Sequence, residues 1–279
     1  MIDLHTHSTV SDGTDAPAEV VRLAHEAGCS ALAVTDHDTL DHLPAASAAA
    51  TTTTIRLVSG CEISCASDVP GSMHLLVYFP DASGPLAERL EVLQRARASR
   101  NELIVEALRA HGIDVTLDEI RAEAADATSV GRPHVARVLV RKGAATSIQD
   151  AFDRWLAKGK PAYVERERLS AQDAVELSRI SGAVTSLAHP YSLDLTREAL
   201  DAEVGRLAAL GIDAMECMYG RYSRGEREEL VELAARHGLA VTGGSDYHGE
   251  NKPDLSVGTG RGDLRVDVEL LDRLEELRP

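Results

Sequence analysis

The chain has 279 residues, with 29 lysines and arginines against 45 aspartates and glutamates, for a formal net charge of −16. That length can bury a full core, as one large α/β domain or a domain carrying an insertion. The charge argues against a protein that coats long nucleic acid, which would present broad basic surfaces. No stretch approaches the ~18 uninterrupted apolar residues of a membrane span. Asp3 stands where the apolar run of a secretory leader would begin. The four cysteines, Cys29, Cys61, Cys65 and Cys217, form no C-x-x-C pair, so a reducing cytoplasm is the expected setting.

In chain order, Met1-Ile2-Asp3-Leu4 is enough for one brief strand running into "DLHTHSTVSD". Residues two apart on a strand share a face, so His5 and His7 project together. They form a ready bidentate metal site or two unrelated surface histidines. Thr14 or Asp15 is expected to cap a helix with Pro17 in its first turn, apolar Val20, Val21, Leu23 and Ala24 along it, and Gly28 at its end. "ALAV" (31–34) reads as a buried strand, 43–50 as a second helix, and "IRLVSG" (55–60) and "MHLLVYF" (73–79) as the third and fourth strands. From 86 to 158 the pattern is helical, over 86–110, 117–125, 133–142 and 147–157, with glycines as punctuation. Strands return at 183–187, 212–217 and 239–243, alternating with helices near 196–209 and 223–237. Seven strands with helices between several of them predict a parallel α/β barrel or open sheet. The helical middle fits an insertion after the fourth strand. Charge agrees: Arg95–Arg168 holds 14 Lys/Arg against 11 Asp/Glu, or +3, leaving 15 against 34, or −19, elsewhere.

Functional residues of parallel α/β folds gather at the carboxyl ends of strands. His5 and His7 end the first predicted strand, with Asp12 beyond. Asp36, His37 and Asp38 follow the second, Glu62 the third, His189 the fifth, and Asp246 and His248 the seventh; His74 lies within its strand. His25, His111 and His237 stand instead at predicted helix carboxyl ends, where imidazolium meets the macrodipole. His42 falls in a polar loop with no special claim. Mixed histidines and carboxylates suit Zn²⁺, Mn²⁺ or Fe²⁺ rather than Ca²⁺ or a cysteine-rich structural zinc. Nine candidate ligands exceed the needs of one ion and imply two or three, with a bridging carboxylate holding two of them ~3.5–4 Å apart.

Taken in order, "DLHTHS" with Asp12, "TDHD", "GCEIS", "MHLLVYF", "LAHP" and "GSDYH" resemble the PHP (polymerase and histidinol phosphatase) superfamily of metal-dependent phosphoesterases. The resemblance implies a distorted (β/α)7 barrel made of residues 1–85 and 169–279, with a mainly helical, substrate-capping insertion at 86–168. It implies that His5, His7, Asp246 and a bridging Glu62 hold one ion, Glu62, His74 and His189 a second, and Asp12, His37 and His248 a third. Some family members have histidine at the place of Asp12, and the harder oxygen ligand here implies either a looser third site or a preference for Mn²⁺, with Zn²⁺ or Fe²⁺ as alternatives. Glu62, Asp246 and His248 are the implied catalytic residues, acting through a hydroxide generated at the metals.

Within the superfamily the sequence is most similar to a bacterial group that removes phosphate from nucleoside 3′,5′-bisphosphates, some of whose members trim short RNA from the 5′ end. Their insertion carries segments similar to "GRPHVARVL" (131–139) and "KGKPAYV" (158–164), which nominates Arg132, His134 and Lys160 for substrate binding. Partners implied are a small phosphorylated nucleotide or short RNA, with no membrane and no long duplex. Histidinol-phosphate hydrolysis ranks second. A non-catalytic, metal-stabilised binding module and C–N hydrolysis on a metal-dependent barrel are further alternatives.

Overall fold

A computed structural model describes residues 1–124 and 130–279 of the chain. Strands β1 (Ile2–Asp3), β2 (Ala31–Ala33) and β3 (Arg56–Val58) form a parallel sheet in that order, linked by α1 (Pro17–Glu26) and α2 (Leu43–Ala50). A second sheet has the order β4 (Gly60–Cys65), β5 (Met73–Tyr78), β6 (Val184–Leu187), β7 (Ala214–Tyr219), β8 (Ala240–Gly244). β5 is antiparallel to both neighbours, while β6, β7 and β8 run parallel. Two seams of isolated pairing join the sheets. His37 bridges Glu62 on one side. On the other, Leu4 N–H donates to Gly243 O (3.2 Å) and His7 N–H to Tyr247 O (2.8 Å).

Between β5 and β6 lie α3 (Pro85–Ala110), α4 (Leu117–Ala124), α5 (Arg132–Arg141) and α6 (Ile148–Ala151), the last continuing into a π turn over Phe152–Leu156. α7 (Ala171–Ile180) precedes β6, α8 (Arg197–Leu210) precedes β7, α9 (Arg224–Arg236) precedes β8, and α10 (Glu269–Glu276) ends the fold. The first half of α3 packs Leu86, Leu90 and Leu93 into the sheet core, but from Ile104 the helices before residue 160 have an apolar core of their own, built on Ile104, Leu108, Ile120, Val135, Leu139 and Leu156. It is separate from the clusters that pack against the sheets, as a 3.6-residue apolar stripe with its own facing helix dictates. No described helix is long and apolar enough to cross a membrane.

The structure departs from the sequence expectations at identifiable points. The strand expected over 55–60 is two strands, because the chain changes partners at Ser59: Val58 pairs with Ala33, and Gly60 with Tyr78. Eight strands result among the described residues, and Glu62 lies inside β4 rather than beyond a strand end. Neither Thr14 nor Asp15 caps α1. The N-cap is Ala16, with Pro17 at the first helical position. The two polar side chains are engaged elsewhere, Thr14 Oγ1 by Glu250 N–H (2.9 Å) and Asp15 by the Tyr247 hydroxyl (2.7 Å). The helix expected over 117–125 extends to Ala124, with residue 125 outside the described residues. Two helices, α7 and α10, were absent from the expected pattern. α7 buries only small or short side chains, Ala171, Ala174, Val175 and Ser178, with no long apolar residue among them to mark the buried face.

Candidate active site

The structure brings all nine candidate ligands together. Their ligand atoms fall into four overlapping groups, each within 4.8 Å: His7, Asp12, His37 and His248; His5, Glu62 and His189; His5, His7 and Asp246; His37, Glu62 and His74. The convergence follows from the strand pattern. His5 and His7 leave β1 on one face, and Asp246 and His248 leave β8 directly beside them. Gly244 permits the approach, since a Cβ there would stand 2.4 Å from His5 N and 2.8 Å from Asp3 Oδ1. A cavity of about 490 Å³ opens onto the cluster, lined among others by His74, His189, Tyr191, Asp246, His248 and Lys252.

Glu62 is central and only 1% exposed. Its Oε1 lies 2.8 Å from both His74 Nδ1 and His189 Nε2. Its Oε2 lies 3.1 Å from His7 Nε2, 3.2 Å from His37 Nδ1 and 3.4 Å from His5 Nε2. Burial alone would raise this carboxyl, yet the imidazoles of His37, His74 and His5 hold it well below the ordinary carboxylate range. Asp12 and Asp246 are held low in the same way, burial opposing, by His37 and His248 for Asp12 and by Lys252 and His248 for Asp246. Burial, with the charge of neighbouring His248, pushes His7 down to about 3, which leaves a neutral imidazole suited to metal ligation.

The residues fit divalent ions. His5 Nε2 and His7 Nε2 converge to 3.1 Å, and His37 Nδ1, though 3.2 Å from Glu62 Oε2, makes no aligned hydrogen bond. Converging ring nitrogens and a nitrogen facing a carboxylate without a hydrogen bond are what a cation satisfies. Six imidazoles with three carboxylates are the ligand chemistry of Zn²⁺, Mn²⁺ or Fe²⁺.

Neighbouring side chains orient the cluster, as metal-ligating histidines require. Glu216 Oε1 lies 2.8 Å from His5 Nδ1, which turns Nε2 toward the cluster, and Oε2 accepts His189 N–H at 2.8 Å. Asp36 accepts from Ser8 N–H (2.8 Å), Ser8 Oγ (2.5 Å) and Ser11 Oγ (2.5 Å), fixing the loop that carries Asp12. His42 lies 3.2 Å from Asp36 and is fully buried, so its expected place in a polar loop with no claim is corrected. His25, His111 and His237 do stand at helix carboxyl ends. Asp38 (φ +55°), His189 (φ +26°) and Asp246 (φ +56°) adopt left-handed backbone that non-glycine residues rarely enter.

Beyond the cluster lies a group of arginines. Arg97 pairs with Asp38, as does Arg166 at 2.8 Å. Burial, then the charges of Arg97, Arg166, Arg132 and Arg168, push the Arg100 guanidinium down. Arg97 Nε, Arg100 Nε and Arg166 Nη1 are buried without hydrogen-bond partners. Sequence reading passed over Arg97 and Arg100, although a signal was present. They continue the buried stripe of α3, Leu86, Leu90, Leu93, Arg97, Arg100, Ile104, where the helical spacing calls for apolar residues.

The three residues nominated for substrate binding are placed differently from one another. Arg132 begins α5, donates to Leu156 O (3.0 Å) and lies 5.6 Å from the ring centres of both Phe152 and Tyr163. His134 is buried, and its Nδ1 accepts Gly131 N–H (3.0 Å) to cap α5. It belongs to none of the four ligand groups. Lys160 is exposed.

Comparison with known proteins gives a consistent picture. A model of the PHP domain matches residues 3–169. The chain is 32% identical over 258 residues to a 3′,5′-nucleoside bisphosphate phosphatase of Chromobacterium violaceum, covering 92% of this chain and 90% of the relative. It is 34% identical over 250 residues to the 5′-3′ exoribonuclease Rnm of Salmonella typhimurium, covering 88% and 84%. A solved structure described as an amidohydrolase from Chromobacterium violaceum, with bound sulfate and no metal, matches at a TM-score of 0.87 and 31% identity, over 100% of this chain and 98% of that one.

Proposed function

The chain belongs to the PHP domain family and is a metal-dependent hydrolase acting on phosphoester bonds, and from that premise we propose that it removes phosphate from a nucleoside 3′,5′-bisphosphate. The observation that carries the choice of substrate is a group of arginines beside the histidine–carboxylate cluster: buried Arg97 and Arg100 lie with Arg132, Arg166 and Arg168, and Asp38 is the carboxylate that Arg97 and Arg166 share. Three of their nitrogens, Arg97 Nε, Arg100 Nε and Arg166 Nη1, are buried without a hydrogen-bond partner, which is unfavourable, and a second phosphate would complete those hydrogen bonds in the bidentate geometry that arginine matches. The likeness to a bisphosphate phosphatase and to an exoribonuclease supports this reading. We read the two sheets and their seams as one distorted (β/α)7-type barrel, formed by residues 1–85 and 169–279. Residues 86–168 are a cap inserted between β5 and β6 that carries the arginines over the site.

In this mechanism His5, His7, Asp12, His37, Glu62, His74, His189, Asp246 and His248 would hold two or three divalent ions, Mn²⁺ by preference. When bound, such ions supply charge neutralisation at phosphoryl oxygens and the activation of water at neutral pH. The protein's own contribution is orientation. Glu216 and Asp36 fix the ligands, the Tyr219 hydroxyl holds one oxygen of Asp246 at 2.6 Å, and the arginines fix the far end of the substrate so that one phosphate lies in the cavity. Short RNA ending in a 5′-phosphate presents the same pair of anionic groups and is the natural second substrate.

Phosphate release by the Mn²⁺-loaded protein should separate the alternatives. Two charge-assisted hydrogen bonds to the remote phosphate predict a kcat/KM for adenosine 3′,5′-bisphosphate about 10²–10³-fold above that for adenosine 5′-monophosphate. A preference for histidinol phosphate, or equal rates for the two adenosine nucleotides, would overturn the substrate assignment.

A further inference from the structure

The loop that follows His248 contributes one more group to the cavity. Lys252 is one of four lysines in the chain, its side chain is 25% exposed, and it lines the cavity with Glu62, His74, His189 and Asp246. The other strong base on that wall, Arg221, is committed to Asp254, which it meets at 3.1 and 2.7 Å. Resting on the phosphoester reading above, we propose that Lys252 is a catalytic residue whose ammonium contacts the phosphoryl oxygens of the substrate.

The asymmetry at Asp246 supports this role. Its Oδ1 faces His5 Nε2 (3.4 Å), His7 Nε2 (3.5 Å) and His248 Nδ1 (3.3 Å). Its Oδ2 accepts from the Tyr219 hydroxyl (2.6 Å) and from Lys252. Tyr219 therefore already holds the oxygen turned away from the cluster. An ammonium carries three protons, and among the described residues Asp246 is the one hydrogen-bond acceptor that Lys252 Nζ meets. The remaining N–H groups sit at the cavity wall beside the cluster, where a fixed positive charge is worth far more to a phosphoryl group than it would be in water.

The loop is built to hold that position. Gly249 has φ +63°, and a Cβ there would stand 1.9 Å from Thr14 Oγ1. Glu250 N–H donates to Thr14 Oγ1 (2.9 Å), and the Asn251 amide donates to Asp12 O (2.6 Å). Asn251 Oδ1 in turn accepts from Arg137 of α5 (3.0 Å). Residues 249–252 are thus pinned to the loop carrying Asp12 and to the helical segment at once. Preorganisation of this kind lowers the ordering cost of a long flexible side chain.

The test compares Lys252→Met and Lys252→Arg with the wild type, all full length and loaded with Mn²⁺. It measures metal content, direct binding of inorganic phosphate by calorimetry, and turnover. Lys252→Met should keep wild-type metal content, bind phosphate about 10–100-fold more weakly and turn over at least ~10²-fold more slowly. Lys252→Arg should recover part of the phosphate affinity. Loss of metal with phosphate affinity intact in the sites still loaded would overturn the proposal and leave Lys252 as a prop for Asp246; unchanged phosphate affinity would overturn it outright. Wild-type protein that binds phosphate through Lys252 yet hydrolyses no phosphoester would uphold this role and overturn the substrate reading instead.

Discussion

Replacing Glu62 with glutamine is expected to remove at least one metal ion per chain and to slow phosphate release by roughly 10³-fold or more, equivalent to the several kcal/mol of charge stabilisation a metal site supplies. Five histidines meet this one carboxylate within 3.4 Å, on both of its oxygens. Glutamine matches it in volume, so β4 keeps its pairing with β5, where Glu62 lies opposite Leu76. What changes is chemistry: a neutral amide offers one acceptor oxygen and a nitrogen without a free lone pair. The position loses its charge while the imidazoles keep their lone pairs. Elemental analysis and phosphate release on the same preparation check both halves of the expectation. Full metal content with an unchanged rate would remove Glu62 from the site.

Asp38→Asn should be the most damaging substitution for stability outside the ligand cluster, at about 3–5 kcal/mol, the cost of leaving buried charge unpaired. At the few degrees per kcal/mol usual for chains of this size, Tm should fall on the order of 10 °C. Asp38 is fully buried and is the carboxylate that Arg97 and Arg166 both use. Asparagine tolerates the left-handed backbone at this position and its oxygen can keep the bond from Ser64 N–H. The charge is therefore what the substitution removes. If the arginines form an anion site, millimolar inorganic phosphate should raise the Tm of the variant more than that of the wild type, because an anion bound to the folded state stabilises it. A shift under about 2 °C, or no response to phosphate, would mean the guanidiniums reach water and need no anion.

The nine residues that converge were legible in the sequence as candidates because the signal is local. His5-x-His7 and Asp246-x-His248 are pairs at i, i+2 beside short apolar runs, and strand geometry alone puts each pair on one face. The helical middle was legible for a similar reason: glycines separate stripes such as Val135, Val138 and Leu139. What stayed hidden depends on contacts between distant parts of the chain. The break at Ser59 comes from competition between β2 and β5 for the same segment, which a single-strand pattern does not reveal. The arginine group joins α3, the start of α5 and residues 166–168 around Asp38. Arg132 was nominated through its motif, but Arg166 and Arg168 read locally as ordinary charged positions, and Arg97 and Arg100 show only as breaks in an apolar stripe. Lys252 gave no local signal, since its place is set by anchors at Thr14, Asp12 and Arg137. Lys160 illustrates the converse, a motif lysine that the fold leaves exposed.

The central claim, that the nine-residue cluster is a metal site that hydrolyses phosphoesters, is tested most directly on unmodified protein. Chelator-stripped and Mn²⁺-reloaded samples would be assayed side by side for phosphate release from adenosine 3′,5′-bisphosphate, with metal content measured on each. The account predicts no release from the stripped protein and recovery that rises with Mn²⁺ to a plateau at two or three ions per chain. Release that persists without metal, or its absence from protein holding a full complement, would contradict it.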